Sequence, residues 1–179
     1  MRFEEESLRF EFGANWQDSI IKFDDHPDYH SVKDGLEQTR GVDFVGVFRA
    51  ELYFIEVKDF RGYRIQNKQR LTKGELMVEV GQKVRDSVAC VIGVSRTSSE
   101  REKWQTYKQF LCQETGRVRI ILWLEQDQSR PDEVVKHGVL RNDLKRRLKW
   151  LGVRINVYSL QELQESLDLQ VSSLPRQTH

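Results

Sequence analysis

The chain has 179 residues, 38% of them hydrophobic and 32% charged, with a formal net charge of +1. That is enough apolar material for one core and the length of one domain, and the balanced charge means that any nucleic-acid contact must come from local patches. No apolar run is long enough to span a bilayer. The acidic start MRFEEESLRFEFG lacks the basic segment and apolar run of a signal peptide. Cys90 and Cys112 show no metal-binding spacing and read as small buried thiols in helix-like segments, so the expected location is the cytoplasm.

In chain order, LRFEF and WQDSIIKF read as short strands, and Asp24 to Gly41 as a polar loop or short helix. VDFVGVF and ELYFIEVKD form a hairpin, with Arg49 and Ala50 as its central turn residues. The basic connection RGYRIQNKQRLTKG follows. Thr72 and Glu75 fit a capping box, and Leu76, Val80, Val84, Val88 and Val91 make the apolar stripe of a helix ending near Gly93. A second helix is expected over Glu100 to Gln113, and a buried strand over Arg117 to Glu125. A third helix is expected from Pro131 to about Leu151, with Gly152 as its stop. VRINVYSL reads as a last strand, LQELQESLDL as a last short helix, and the tail from about residue 171 as flexible. The order of elements predicts a single domain of α/β or α+β class with a mixed central sheet flanked by helices.

The hairpin carries the chemistry. In its second strand Leu52, Phe54, Glu56 and Lys58 share one face and Tyr53, Ile55 and Val57 the other. Both faces are apolar, as in a central strand covered on both sides, where Glu and Lys are rarely buried unless paired. A two-residue turn at Arg49 and Ala50 puts Asp43 opposite Glu56. Two carboxylates and an ammonium then converge at one end of the hairpin. Carboxylates that close repel unless a cation lies between them. Hard oxygen ligands of this kind suit Mg²⁺, with Mn²⁺ as a substitute, and such a site serves phosphodiester chemistry.

Asp43 followed by Glu56-x-Lys58 at the end of an apolar strand resembles the signature of the PD-(D/E)xK nuclease superfamily, which includes restriction endonucleases and Holliday-junction resolvases. The likeness covers the hairpin and the following helix. It implies a restriction-endonuclease-like αβββαβ core and Mg²⁺-dependent hydrolysis of nucleic acid, DNA in the first instance. Asp43 and Glu56 would be the metal ligands and Lys58 the catalytic lysine. Val42 stands where the signature has proline. The extra glutamate that many members carry on a first helix has Glu11 as its candidate, or Glu4, Glu5 or Glu6 if the N-terminus is helical. The competing expectations are a non-catalytic nucleic-acid-binding or assembly module that keeps the nuclease fold, and an unrelated α/β domain in which Glu56 and Lys58 merely pair.

Other candidates are weaker. Asp24, Asp25, His26, Asp28 and His30 match no zinc spacing and read as a solvated turn, with Asp24 or Asp25 as an outer ligand. Arg61, Arg64, Lys68, Arg70 and Lys73 follow the site and are placed to contact phosphates. Arg141, Lys145 and Lys149 form a basic stripe beside a leucine stripe, readable as a solvated face or a DNA-tracking one. Glu79 and Gln82 read as surface positions. The expected partners are nucleic acid and, for a homodimer, a second copy of the chain.

Overall fold

The computed structural model describes residues 1–62, 64–113, 117–127, 134–162 and 167–175, without the side chains of residues 17, 18, 64–66 and 68. In chain order the elements are β1 (Arg2–Glu5), β2 (Leu8–Phe12), a 3-10 helix (Ala14–Ser19), β3 (Ile21–Lys22), α1 (Pro27–Gly35), β4 (Phe44–Phe48) and β5 (Glu51–Asp59). Then come α2 (Arg64–Thr72), α3 (Glu75–Thr97), α4 (Arg101–Cys112), β6 (Val118–Glu125), α5 (His137–Arg147), a 3-10 turn (Lys149–Leu151), β7 (Arg154–Tyr158) and β8 (Leu169–Ser173).

The mixed central sheet has the order β3-β4-β5-β6-β7. β4 is antiparallel to both β3 and β5, while β6 and β7 run parallel to β5. The hairpin has the expected register, with Phe48 opposite Glu51 and Phe44 opposite Ile55. Arg49 and Ala50 both adopt positive φ, 48° and 56°, as a two-residue hairpin turn requires. Gly46 is the residue β4 needs where the chain before β3 crosses it, because a Cβ there would lie 2.9 Å from the Ile20 Cα.

The alternation along β5 divides two cores. Leu52 and Phe54 pack with Val45, Ile120 and Leu122 against the α3 stripe of Leu76, Val80, Val84, Val88 and Val91 and against α4 and α5. Tyr53, Ile55 and Val57 face the other way, onto Leu8, Phe10, Phe12 and Trp16. That second face is covered by a three-stranded antiparallel sheet, β1-β2-β8. The Trp16 indole N–H donates to the Leu167 carbonyl at 2.7 Å, and the Gly13 N–H to the Asp168 carbonyl at 2.9 Å, so the two chain ends are tied together.

Several boundaries differ from expectation. The basic connection is a helix, α2, and Thr72 is its last residue rather than the cap of α3. α3 starts after Gly74, in the left-handed region at φ 73°, with no side-chain cap. It runs through Gly93 to Thr97, because Val91, Val94 and Ser95 continue its buried face and outweigh the roughly 1 kcal/mol that a helical glycine costs. Most of WQDSIIKF is 3-10 helix. Pro131 lies outside the described residues, and α5 begins at His137. Gly152, at φ 63°, ends the following turn as expected. The tail read as flexible from 171 contains the strand β8, paired with β2 from Leu169 to Ser173. The last short helix read over LQELQESLDL falls partly on residues 163–166, outside the described residues. Cys90 is buried, but Cys112 is exposed. The helix that a PD-(D/E)xK core carries before its three strands is absent from the described residues; β1, β2 and a 3-10 helix precede β3, and α1 stands between β3 and β4. Among the described residues no helix is long and apolar enough to cross a membrane.

Two consecutive non-glycine residues in the left-handed region carry strain. Ala50→Gly is therefore expected to raise stability by about 0.5–1 kcal/mol, the relief of left-handed strain less the entropy glycine adds to the unfolded chain. Urea unfolding midpoints measure it; a lower midpoint for the variant would show that the turn is not strained.

Candidate functional site

The pleat of β5 directs Glu56 and Lys58 to the helix-covered face, where α3 crosses. Asp43 lies just before β4 and is held by its backbone: its carbonyl accepts the Phe23 N–H at 2.7 Å, and the neighbouring Val42 N–H donates to the Ser87 Oγ on α3 at 3.0 Å. Its Oδ2 accepts the Val57 N–H at 2.5 Å, which lays the carboxylate along β5 beside Glu56. Lys58 Nζ stands 2.7 Å from Glu56 Oε1 and 3.7 Å from Glu79 Oε1. Asp43, Glu56 and Lys58 thus converge.

Sequence reasoning missed Lys83. From α3 its Nζ reaches Glu56 Oε1 at 2.7 Å and Asp43 Oδ1 at 3.6 Å. The available signal was its position one turn from Glu79, beside the Val80 and Val84 stripe, where a lysine flanks the buried face. Glu79 is not the free surface group expected: it pairs with Arg70 at 2.6 Å and with Lys58.

A further acidic contribution comes from the start of the chain. Oxygens of Glu5, Asp24 and Asp43 all lie within 4.8 Å of one another. The N-terminus is a strand, not a helix, yet the end of β1 brings Glu5 to the site, and in the next turn Glu6 accepts the Asp59 N–H. Glu11, the candidate for the extra acid, is not there. Phe10 and Phe12 point into the core, so Glu11 points out, ion-paired with Arg2 at 3.3 Å. Asp25 turns instead to Lys22, at 2.9 Å, and Lys22 also holds Glu5 at 3.1 Å.

The electrostatics are those of charges removed from water. Burial pushes the Asp24 carboxyl up to about 6, with the charges of Asp43 and Glu5 adding to it. Burial also raises Asp43, against the pull of Lys83 and Lys58. Glu56 is raised by burial and by Asp43, with Lys58 and Lys83 opposing. For both lysines burial alone would lower the pKa, but Glu56 and Asp43 outweigh it and hold them charged. Glu56 Oε2 and Asp24 Oδ1 are buried without a hydrogen-bond partner. The Glu5, Asp24 and Asp43 carboxylates, with the unpartnered Asp24 oxygen, fit a hard divalent cation such as Mg²⁺ or Mn²⁺, and Glu56 borders this group through Asp43.

Other sequence candidates have structural roles. His26 caps α1, its Nδ1 accepting the Asp28 N–H at 3.2 Å, and Asp28 accepts from Ser98 Oγ and Trp104 Nε1, both at 2.6 Å. Arg61 forks onto Asp59 and donates to Ser173 Oγ. Arg70 is engaged with Glu79 and Asn67 and lies over the Phe60 ring. The charges of Arg61 and Arg70 are therefore used within the fold rather than offered to phosphate. Lys73 is exposed, whereas the Arg64 and Lys68 side chains lie outside the description. Arg141, Lys145 and Lys149 are exposed, and Trp150 beside them is 59% exposed.

Two clefts flank the acids. One, of about 630 Å³, is lined by Asp24, Tyr29, Gly41 and Lys83; the other, of about 340 Å³, by Glu6, Lys58, Asp59 and Arg61. A larger cavity of about 930 Å³ lies beside Glu11, Trp123 and Asp168 and includes none of Asp43, Glu56 and Lys58. The convergence of charge, not volume, marks the site. No family model, curated protein or solved structure matches the chain.

The raised Asp24 carboxyl sets a pH dependence. A carboxyl held at about 6 when folded and near its ordinary 3.8 when unfolded makes the protein lose stability as pH rises between those values. In metal-free protein Asp24→Asn is expected to be more stable than wild type at pH 7, by about 1–2 kcal/mol after allowance for solvent screening. The difference should shrink towards pH 4. Urea midpoints in EDTA at the two pH values measure this, and a variant less stable than wild type at pH 7 would contradict it.

Proposed function

We propose that this chain is a metal-dependent nuclease that hydrolyses nucleic-acid phosphodiester bonds, with DNA as the first substrate to test. The observation that carries the proposal is the convergence of Asp43, Glu56 and Lys58 at the end of β5, with a buried, unpartnered Glu56 oxygen and with oxygens of Glu5 and Asp24 gathered at Asp43. The sheet order, with β4 alone reversed, supports the resemblance to the PD-(D/E)xK superfamily. A fold by itself licenses no activity, so the weight rests on the side chains.

Asp43 and Glu56 would hold the cation, with Asp24 and Glu5 as adjoining donors. When bound, a divalent ion supplies charge neutralisation at a phosphoryl oxygen and a more acidic water. Lys58 is held charged at the cleft wall, where its ammonium faces the charge that develops on a scissile phosphate. Burial of Glu56 keeps water from competing for the carboxylate, and the Val57 N–H fixes the Asp43 carboxylate orientation.

A second reading has its own observation. Lys58 and Lys83 already bring two positive charges to Glu56, as in a nucleic-acid-binding module that keeps the arrangement without turnover. A nicking assay on supercoiled plasmid and short oligonucleotides, with Mg²⁺ or Mn²⁺ and with EDTA, separates the two. Wild type should cleave only with metal, and Lys58→Ala should cut the rate by at least about a hundredfold, the scale of losing one transition-state donor. Cleavage by Lys58→Ala at the wild-type rate removes Lys58 from the chemistry. Binding without cleavage in either metal favours the module.

Neutralising Arg141, Lys145 and Lys149 together tests the exposed stripe of α5 and the 3-10 turn after it. If it tracks a DNA backbone, affinity should fall for all sequences, and the slope of log K against log salt should flatten by about 0.9 per lost contact. Trp150 offers a local readout, since Trp16, Trp104 and Trp123 are buried. An unchanged slope would make the stripe a solvated surface.

A further inference from the structure

We propose that Lys83 is a resident counter-ion, occupying the cation position of the acidic pocket in the metal-free protein and moving aside when a divalent ion enters. This rests on the reading of Asp43 and Glu56 as metal ligands. Lys83 Nζ is in reach of both carboxylates, at 2.7 Å from Glu56 Oε1 and 3.6 Å from Asp43 Oδ1. The other ammonium, Lys58, divides its contacts between Glu56 and Glu79. A divalent ion bound by Asp43 and Glu56 would sit about 2.1 Å from their oxygens, within the space the Lys83 ammonium fills. Two cations cannot share it, because their mutual repulsion is poorly screened where water is excluded.

The fold supplies both a reason for this arrangement and a way out. Without a counter-ion the metal-free protein would hold Asp43 and Glu56, both buried, with much of their charge uncompensated. Lys83 removes that cost from α3, an element separate from the hairpin. Its side chain is 16% exposed and lines the cleft beside Asp24 and Tyr29, which also bears Asp34 and Glu37 as well as Lys33 and Arg40. Rotation into this solvated cleft of mixed charge, where Asp24 can receive it, offers the ammonium a way to leave Glu56. Lys83 is in this sense a positioning residue: it keeps the acids in place for the metal at the expense of metal affinity.

The test uses the full chain and Mn²⁺ alone, by isothermal titration, on wild type, Lys83→Met and Lys83→Arg. Removing the competing charge at similar volume should tighten Mn²⁺ binding by about tenfold or more in Lys83→Met, while Lys83→Arg, which keeps the charge, should bind as weakly as wild type. In wild type, labelling of Lys83 by an amine-reactive reagent, read by mass spectrometry, should rise when Mn²⁺ is added, because the displaced ammonium reaches solvent. This second measurement decides the matter if Lys83→Met does not fold. Wild type that binds Mn²⁺ while Lys83→Met binds no more tightly, or while Lys83 labelling does not change, overturns the role of Lys83 and leaves the metal site standing. If neither wild type nor variant binds Mn²⁺, the metal site itself is wrong and Lys83 is only a structural ion-pair partner.

Discussion

Glu56 is fully buried in the central strand, and taking an ionised carboxylate out of water costs several kcal/mol unless neighbouring charges and hydrogen bonds offset it. Much of the architecture around β5 follows from that. Two ammonium groups, from Lys58 on the same strand and Lys83 on α3, meet one of its oxygens, and the other has no partner. Asp43 stands alongside with a raised pKa of its own. Hydrophobic replacement of a buried ion pair is often neutral or stabilising, so stability alone does not account for Glu56 in a strand otherwise built largely of Leu, Phe, Ile and Val.

The two cores have different tasks in holding this arrangement. The helix-side core is mostly aliphatic where α3 seats on β5, and so fixes how far Lys83 and Glu79 reach. The sheet-side core is aromatic. Phe10, Phe12, Trp16 and Phe44 form a set of edge-to-face and tilted contacts with centroids 5.0–5.7 Å apart, and these lock the β1-β2-β8 sheet onto the central one. Because β1 is part of that sheet, Glu5 and Glu6 are carried to the end of β5 by a rigid element. The N-terminal sheet thus brings a carboxylate to the site from an element outside the central sheet.

The positive charge of the molecule divides in the same way between framework and surface. Arg61 ties Asp59 to Ser173 on β8, and Arg70 ties α2 to Glu79 and to the face of Phe60. These contacts brace the wall of the cleft that contains Lys58. On α5, Arg146 and Arg147 pair with Asp143, while Arg141 and Lys145, and Lys149 in the following 3-10 turn, remain turned to solvent. A run of basic residues in a sequence is therefore two different things here, and geometry alone tells them apart.

Local chemistry made the hairpin, its register and the Asp43–Glu56–Lys58 convergence legible in the sequence. Alternation sets which side chains share a face of β5, and a two-residue turn leaves only one pairing across it. The stripe of α3 and the Gly152 stop were legible for the same reason, since helical periodicity and left-handed caps depend on near neighbours. Lys83 was not, and Asp24 and Glu5 could be named only as alternatives, beside Asp25 and beside Glu4, Glu6 and Glu11. Their place at the site depends on contacts between residues far apart in the chain, and no pattern within a strand or helix records which distant element will pack there. The strand β8 was missed on the same ground: LQVSS is short and polar and becomes a strand by pairing with β2, at the other end of the chain. Glu11 shows the converse. A carboxylate of the right type at a plausible position was turned outward by the pleat of β2, because Phe10 and Phe12 claim the buried face, and only the packing of the two sheets decides which acid meets Asp24 and Asp43.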